Sequence, residues 1–148
     1  MSDILKAIGN TPIVKLKNIV PAGCGEIYVK LEAFNPTGSK KDRMALSMIL
    51  GAEKRGVLKK GMTVVEYSGG STGAGLAFVC SLKGYNFRLV TADVFGKEKI
   101  DLMRSLGANL EIIKSSDGKI NKELITKMIK KADQISKEPN TFFTNQLD

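Results

Sequence analysis

From position 62 onward the chain switches hydrophobic period again and again, and this alternation constrains the fold more than any other feature. Residues 62–66 form a short apolar run rich in Val and Thr, which reads as a buried strand. Residues 72–83 place Leu76, Val79, Cys80 and Leu82 at helical spacing. The pattern then repeats: strand 87–90, a helix over 97–106 with Ile100, Met103 and Leu106 on one face, and strand 110–113. A further helix over 121–135 turns Leu124, Ile125, Met128, Ile129 and Ala132 inward and its lysines outward, and 141–144 begins a last strand. Strands that alternate with helices predict an α/β fold, a parallel twisted sheet with helices on both faces and right-handed crossovers.

The first third of the chain lacks that rhythm. A short helix is predicted over 3–8, then a Gly-Asn-Thr-Pro turn. Residues 13–17 alternate in strand fashion, a Pro/Gly turn follows, and 26–31 reads as a second strand able to pair with the first as a hairpin. The predicted division is an N-terminal two-stranded segment, 1–34, followed by an α/β domain, 35–148.

Two loops carry chemistry. In Asn35-Pro36-Thr37-Gly38-Ser39-Lys40-Lys41-Asp42-Arg43 a turn empties into a helix of about 41–55, whose inward face is predicted to be Met44, Ala45, Met48 and Ile49. Asn35, Thr37 and Ser39 are suited to cap backbone donors. A lysine at a helix start faces the positive end of the dipole, a placement that costs stability and suits amine nucleophile chemistry. The second loop, Ser68-Gly69-Gly70-Ser71-Thr72-Gly73, joins a strand to a helix and offers consecutive N–H groups to an anion. It lacks the Gly-Lys-Ser/Thr of a nucleoside-triphosphate loop, and Phe78 stands where a dinucleotide fingerprint needs its third glycine.

These motifs, together with Ile8-Gly9-Asn10-Thr11-Pro12-Ile13-Val14-Lys15-Leu16 and Lys30-Leu31-Glu32, follow one another in an order that resembles the fold-type II pyridoxal 5'-phosphate (PLP) enzymes, and among them the cysteine synthase (O-acetylserine sulfhydrylase) family. The resemblance runs the length of the chain. It implies that Lys41 binds PLP covalently through its amine, with Lys40 turned to solvent. It implies that Ser68, Gly69, Gly70, Ser71 and Thr72 surround the substrate α-carboxylate. Ser71 takes the place of a family asparagine that also bonds the cofactor's ring oxygen. Gln146 matches a glutamine that contacts the same carboxylate, and Leu147 stands where the family commonly has phenylalanine. The implied reaction is a β-replacement on a small amino acid, with sulfide as the incoming nucleophile. Family members are roughly twice as long, so the resemblance also implies that this is an N-terminal part. The first two strands would then pack on a second domain that supplies the phosphate cup, the isolated part would bind PLP weakly and turn over poorly, and the full-length protein would be a homodimer. Cystathionine β-synthase and serine/threonine dehydratase chemistry stay open within the same fold, as does a nucleotide-binding or catalytically silent α/β module outside it.

Composition narrows the classes further. The chain has no histidine, which excludes Ser-His and Cys-His nucleophile pairs and His-ligated metal sites; no metal is expected. Cys24 and Cys80 form no Cys-x-x-Cys and read as reduced bystanders. The net charge of +8 could signal nucleic acid, but the excess lysines crowd the helix near the C-terminus with few aromatics between them. They read as a solvated face, so no nucleic-acid partner is expected. No apolar run approaches the length of a membrane span, and the start does not read as a signal peptide. A cytoplasmic protein with no membrane partner is the resulting expectation.

Overall fold

The computed structural model describes residues 4–146. After a 3-10 turn, Ile4–Ala7, the elements run β1 (Ile13–Lys15), β2 (Tyr28–Lys30), a second 3-10 turn (Glu32–Phe34), α1 (Lys41–Lys54), β3 (Thr63–Tyr67) and α2 (Ser71–Lys83). They continue with β4 (Asn86–Ala92), α3 (Lys97–Ser105), β5 (Asn109–Ile113), α4 (Lys122–Ser136) and β6 (Thr141–Phe143). Strands β3 to β6 form one sheet in the order β5-β4-β3-β6, with every pair parallel. The α/β expectation is therefore correct.

The period-2 alternation of the central strands decides which helix packs where. Val64 and Leu89 face a core built with Ala45, Ile49 and Ala52 of α1, Leu76, Val79 and Cys80 of α2, and Met103 of α3. Val65, Tyr67, Val90 and Ala92 point to the other face, which Leu124, Met128, Ala132 and Ile135 of α4 cover. Three helices thus lie on one side and one on the other. Leu89 is fully buried; cutting it to alanine should cost about 2–5 kcal/mol by lost transfer energy and cavity.

Local readings need correction in three places. Of the predicted inward face of α1, Ala45 and Ile49 are buried, but Met44 and Met48 are only half-buried, and Asp42 and Ala52 complete the stripe instead. On α4, Ile129 is 39% exposed and lies outside the inward stripe. At the N-terminus the predicted helix is a single 3-10 turn, and Asp3 falls outside the described residues.

Strands β1 and β2 do pair, antiparallel, with Ile13 opposite Lys30. All six of their residues are exposed, Ile13 by 64% and Tyr28 by 54%. What ties this ribbon to the body is polar. Arg43 of α1 donates from Nε to Glu32 Oε2 at 2.8 Å and from its second nitrogen to Glu32 Oε1 at 3.0 Å. Thr11 adds its hydroxyl to Glu32 Oε1 at 2.6 Å, and the Gly9 N–H donates to Asn35 Oδ1 at 2.8 Å. The guanidinium first, and then the Thr11 hydroxyl, hold the Glu32 carboxyl down at about 2. Among the described residues no helix is long and apolar enough to cross a membrane.

Candidate active site

The start of α1 is fixed by two residues of the preceding turn. The Ser39 hydroxyl oxygen accepts from the Lys41 N–H at 3.1 Å. Asp42 is completely buried and accepts from the Thr37 N–H at 2.7 Å and from the Thr37 hydroxyl. A carboxylate in the first turn also complements the helix dipole. Lys40 precedes the helix and is exposed, as the resemblance requires of it, whereas Lys41 is half-buried. The Lys41 Nζ lies 3.8 Å from Met44 Sδ, and among the described residues Lys41 forms no ion pair.

The glycine-rich turn leaves β3 and enters α2. Ser68 is buried, and its hydroxyl oxygen accepts from the N–H groups of Gly70 and Gly73, each at 3.2 Å. That leaves the N–H groups of Gly69, Ser71 and Thr72 without an acceptor among the described residues. They lie at the positive end of the α2 dipole, which suits a carboxylate. Ser71 is exposed and Thr72 buried.

One absent side chain brings lysine and turn together. A Cβ on Gly75 would lie 3.1 Å from the Lys41 carbonyl oxygen and 3.2 Å from Asp42 Oδ1. The first turn of α1 therefore rests directly on α2, about one helical turn beyond Ser71.

Gln146 joins the same end of the sheet. Its Oε1 accepts from the Thr72 hydroxyl at 2.7 Å, and its Nε2 donates to the Tyr67 carbonyl at 3.2 Å. The structure thus gathers Ser68, Gly69, Gly70, Ser71, Thr72 and Gln146 at the C-terminal ends of β3 and β6, with Lys41 across the α1–α2 contact. Leu147 lies outside the described residues. Ligands of open parallel sheets bind at this end of the strands. A concavity of about 500 Å³ lies at the opposite end, against Thr63, Asn86, Arg88 and Asn109; none of the lysine or glycine-turn residues lines it.

Three neighbours of the site escaped the sequence reading. Glu66, fully buried, accepts from the Tyr67 N–H (2.8 Å), the Thr144 hydroxyl (2.6 Å) and the Gln146 N–H (3.0 Å). Burial pushes its carboxyl above the ordinary range, against the pull of those donors. Its signal was present: a single charged residue inside the apolar run Val64-Val65-Glu66-Tyr67. Phe95 and Lys99 had none. A side chain on Gly69 would run into the Phe95 ring, and the Lys99 stem lies 3.6 Å from where a Gly70 Cβ would stand. Both come from the segment after β4 and meet the turn only in three dimensions. Cys24 is exposed, and Cys80 is buried, as its place in an apolar helix predicts, with its thiol pushed up to about 12 by desolvation.

Known proteins are similar to this chain in sequence and in fold. Residues 4–148 match the model of the pyridoxal-phosphate dependent enzyme family. A cysteine synthase of Staphylococcus aureus is 40% identical over 148 residues, which is all of this chain and 46% of that protein. Among solved structures, a hydrogen sulfide-producing enzyme from Fusobacterium nucleatum superposes with a TM-score of 0.86 at 38% identity, over 99% of this chain and 46% of that one. O-acetylserine sulfhydrylase isoform 3 from Entamoeba histolytica superposes at 0.84 with 34% identity, over 99% and 44%. The chain spans less than half the length of these relatives.

Proposed function

The chain belongs to the pyridoxal-phosphate dependent enzyme family, and on that footing we propose that it serves a cysteine synthase-type β-replacement, in which O-acetylserine or a similar activated serine reacts with sulfide to give L-cysteine and the displaced leaving group, acetate in the O-acetylserine case. The observation that carries the reading is the Gly75 contact, which sets the Lys41 backbone against the helix that begins at the glycine-rich turn. The cysteine synthase and O-acetylserine sulfhydrylase relatives support the substrate assignment.

The residues present fit the cofactor. Lys41 offers a half-buried amine with no carboxylate partner among the described residues. Lys41 would hold PLP, and the Ser71 hydroxyl would bond its ring oxygen. When bound, the cofactor supplies an electron sink for charge left on the substrate α-carbon. The rest falls to the chain. The free N–H groups of Gly69, Ser71 and Thr72, with Ser68, Gly70 and Gln146 around them, take the α-carboxylate and fix the substrate's orientation. The Lys41 Nζ, released once the substrate's amine has taken its place, accepts the α-proton as general base and returns it to the α-carbon after sulfide has added. Acetate leaves the β-carbon and sulfide takes its place. A cytoplasmic homodimer belongs to the same proposal on the strength of the family resemblance.

The test is chemical. The protein is incubated with PLP, reduced with borohydride and mapped by peptide mass. The label should fall on Lys41, survive Lys40→Ala and vanish in Lys41→Ala. Cysteine formation from O-acetylserine and sulfide by the full-length protein should need the same residue. A label on Lys40, or cysteine output that survives Lys41→Ala, defeats the reading. Sulfide is followed in both directions, because the Fusobacterium relative is described as producing it.

A further inference from the structure

The carboxylate of Glu66 stands out because nothing in the mechanism above uses it. It lies on β3, fully buried, two residues before Ser68. Burying a carboxylate is costly unless donors surround it. Among the described residues Glu66 has no cationic partner, and three donors supply the compensation. One is local, the Tyr67 N–H. The other two, the Thr144 hydroxyl and the Gln146 N–H, arrive on Oε2 from 78 and 80 positions away. That same oxygen therefore bridges both ends of the segment in which Asn145 takes a left-handed backbone (φ 47). The bend swings the Gln146 side chain onto Thr72 and the Tyr67 carbonyl.

The geometry points to Glu66 as a positioning residue: it latches the 144–146 segment so that the Gln146 amide is held at the substrate-carboxylate loop. This rests on the reading of that loop given above, and it adds a residue that touches neither substrate nor cofactor. A carboxylate can accept from both backbone N–H groups, Tyr67 on one oxygen and Gln146 on the other, and an amide cannot; the Thr144 hydroxyl also lies 3.2 Å from the Val65 carbonyl and can donate there instead. In Glu66→Gln the new NH2 faces either the Tyr67 N–H or the Gln146 N–H, and even with its oxygen turned to Gln146 the bond loses the strength that the negative charge gave it. Interactions of hydrogen bonds with charged groups imply a roughly tenfold or greater weakening of whatever the latched amide binds.

The experiment uses the 148-residue chain labelled with 15N. In Glu66→Gln the Gln146 backbone and side-chain amide resonances should move toward their free positions while those of Val64, Leu89 and Val90 stay in place. Thr144→Val, which removes one donor from the other side, should shift the same Gln146 signals and serves if Glu66→Gln does not fold. O-acetyl-L-serine is then titrated while the Gly69, Gly70, Ser71 and Thr72 amides are followed. Glu66→Gln should weaken the response about tenfold, Gln146→Ala should do the same, and the double variant should be no weaker than Gln146→Ala alone. Unmoved Gln146 signals, or additive losses in the double variant, overturn the latch. Gln146 signals that move as expected beside loop amides that ignore O-acetyl-L-serine uphold the latch and instead defeat the substrate-carboxylate reading.

Discussion

Replacing Gly75 with alanine opposes two forces of known size. Glycine inside a helix costs about 1 kcal/mol relative to alanine, so on propensity alone Gly75→Ala should stabilise the protein. The structure argues otherwise. The new Cβ would sit 3.1 Å from the Lys41 carbonyl oxygen and 3.2 Å from both its carbonyl carbon and Asp42 Oδ1, where ordinary contact begins at 3.4 Å. The atoms that must yield are the Lys41 backbone and the Asp42 carboxylate, and they are pinned: Asp42 is held by Thr37, and Ala45 and Ile49 behind it are fully buried. Overpacking of this kind costs about 1–3 kcal/mol, which gives a net loss of up to about 2 kcal/mol. Urea unfolding with linear extrapolation measures it. The yield of borohydride-trapped PLP on Lys41 should fall as well, since the lysine backbone is what moves. A Gly75→Ala variant that gains the full propensity term, with trapping unchanged, would refute the argument that this glycine brings the two helices into contact.

Three further outcomes follow from other contacts. Gly69→Ser should be destabilising because its side chain meets the Phe95 ring, and adding Phe95→Ala should recover part of the loss; strictly additive losses in a double-mutant cycle would count against the contact. Acid should loosen the N-terminal ribbon. Glu32 has its carboxyl lowered from 4.5 to about 2, chiefly by Arg43, so its contribution is complete above pH 4.5 and is lost as pH falls toward 2. An acid titration followed by thermal melts should show that slope in the parent and a shallower one in Arg43→Ala. Finally, the Thr91 hydroxyl is buried without a partner among the described residues; Thr91→Val, which keeps the shape, should raise stability by about 1 kcal/mol, and a drop in the unfolding midpoint would contradict that.

The sheet and its helices were legible because their information is local. Val64-Val65 and Leu89-Val90 announce buried strands, and the helical spacing of Leu124 and Met128 announces α4. Lys41 and the glycine turn were legible as motifs whose residues are adjacent in sequence. What stayed hidden depends on distance along the chain. The Arg43–Glu32 pair spans 11 positions and the Glu66–Gln146 bond spans 80, and no periodicity encodes such pairings. The face of α1 was legible at Ala45 and Ile49 and missed at Asp42 for a related reason. Asp42 reads as a solvent residue, yet Thr37 satisfies it from the preceding turn and lets it face inward. Burial of a polar group is decided by its partners, which composition does not reveal.

The ribbon of β1 and β2 gives the molecule two tiers of order. Its six residues are all exposed, and its attachment is a handful of hydrogen bonds centred on one carboxylate. The four-stranded sheet has its own packed interior on each side and draws nothing from those strands. Detaching the ribbon would therefore leave the lysine and the glycine turn standing, so damage to this appendage and damage to the reactive centre should be separable events in the same molecule.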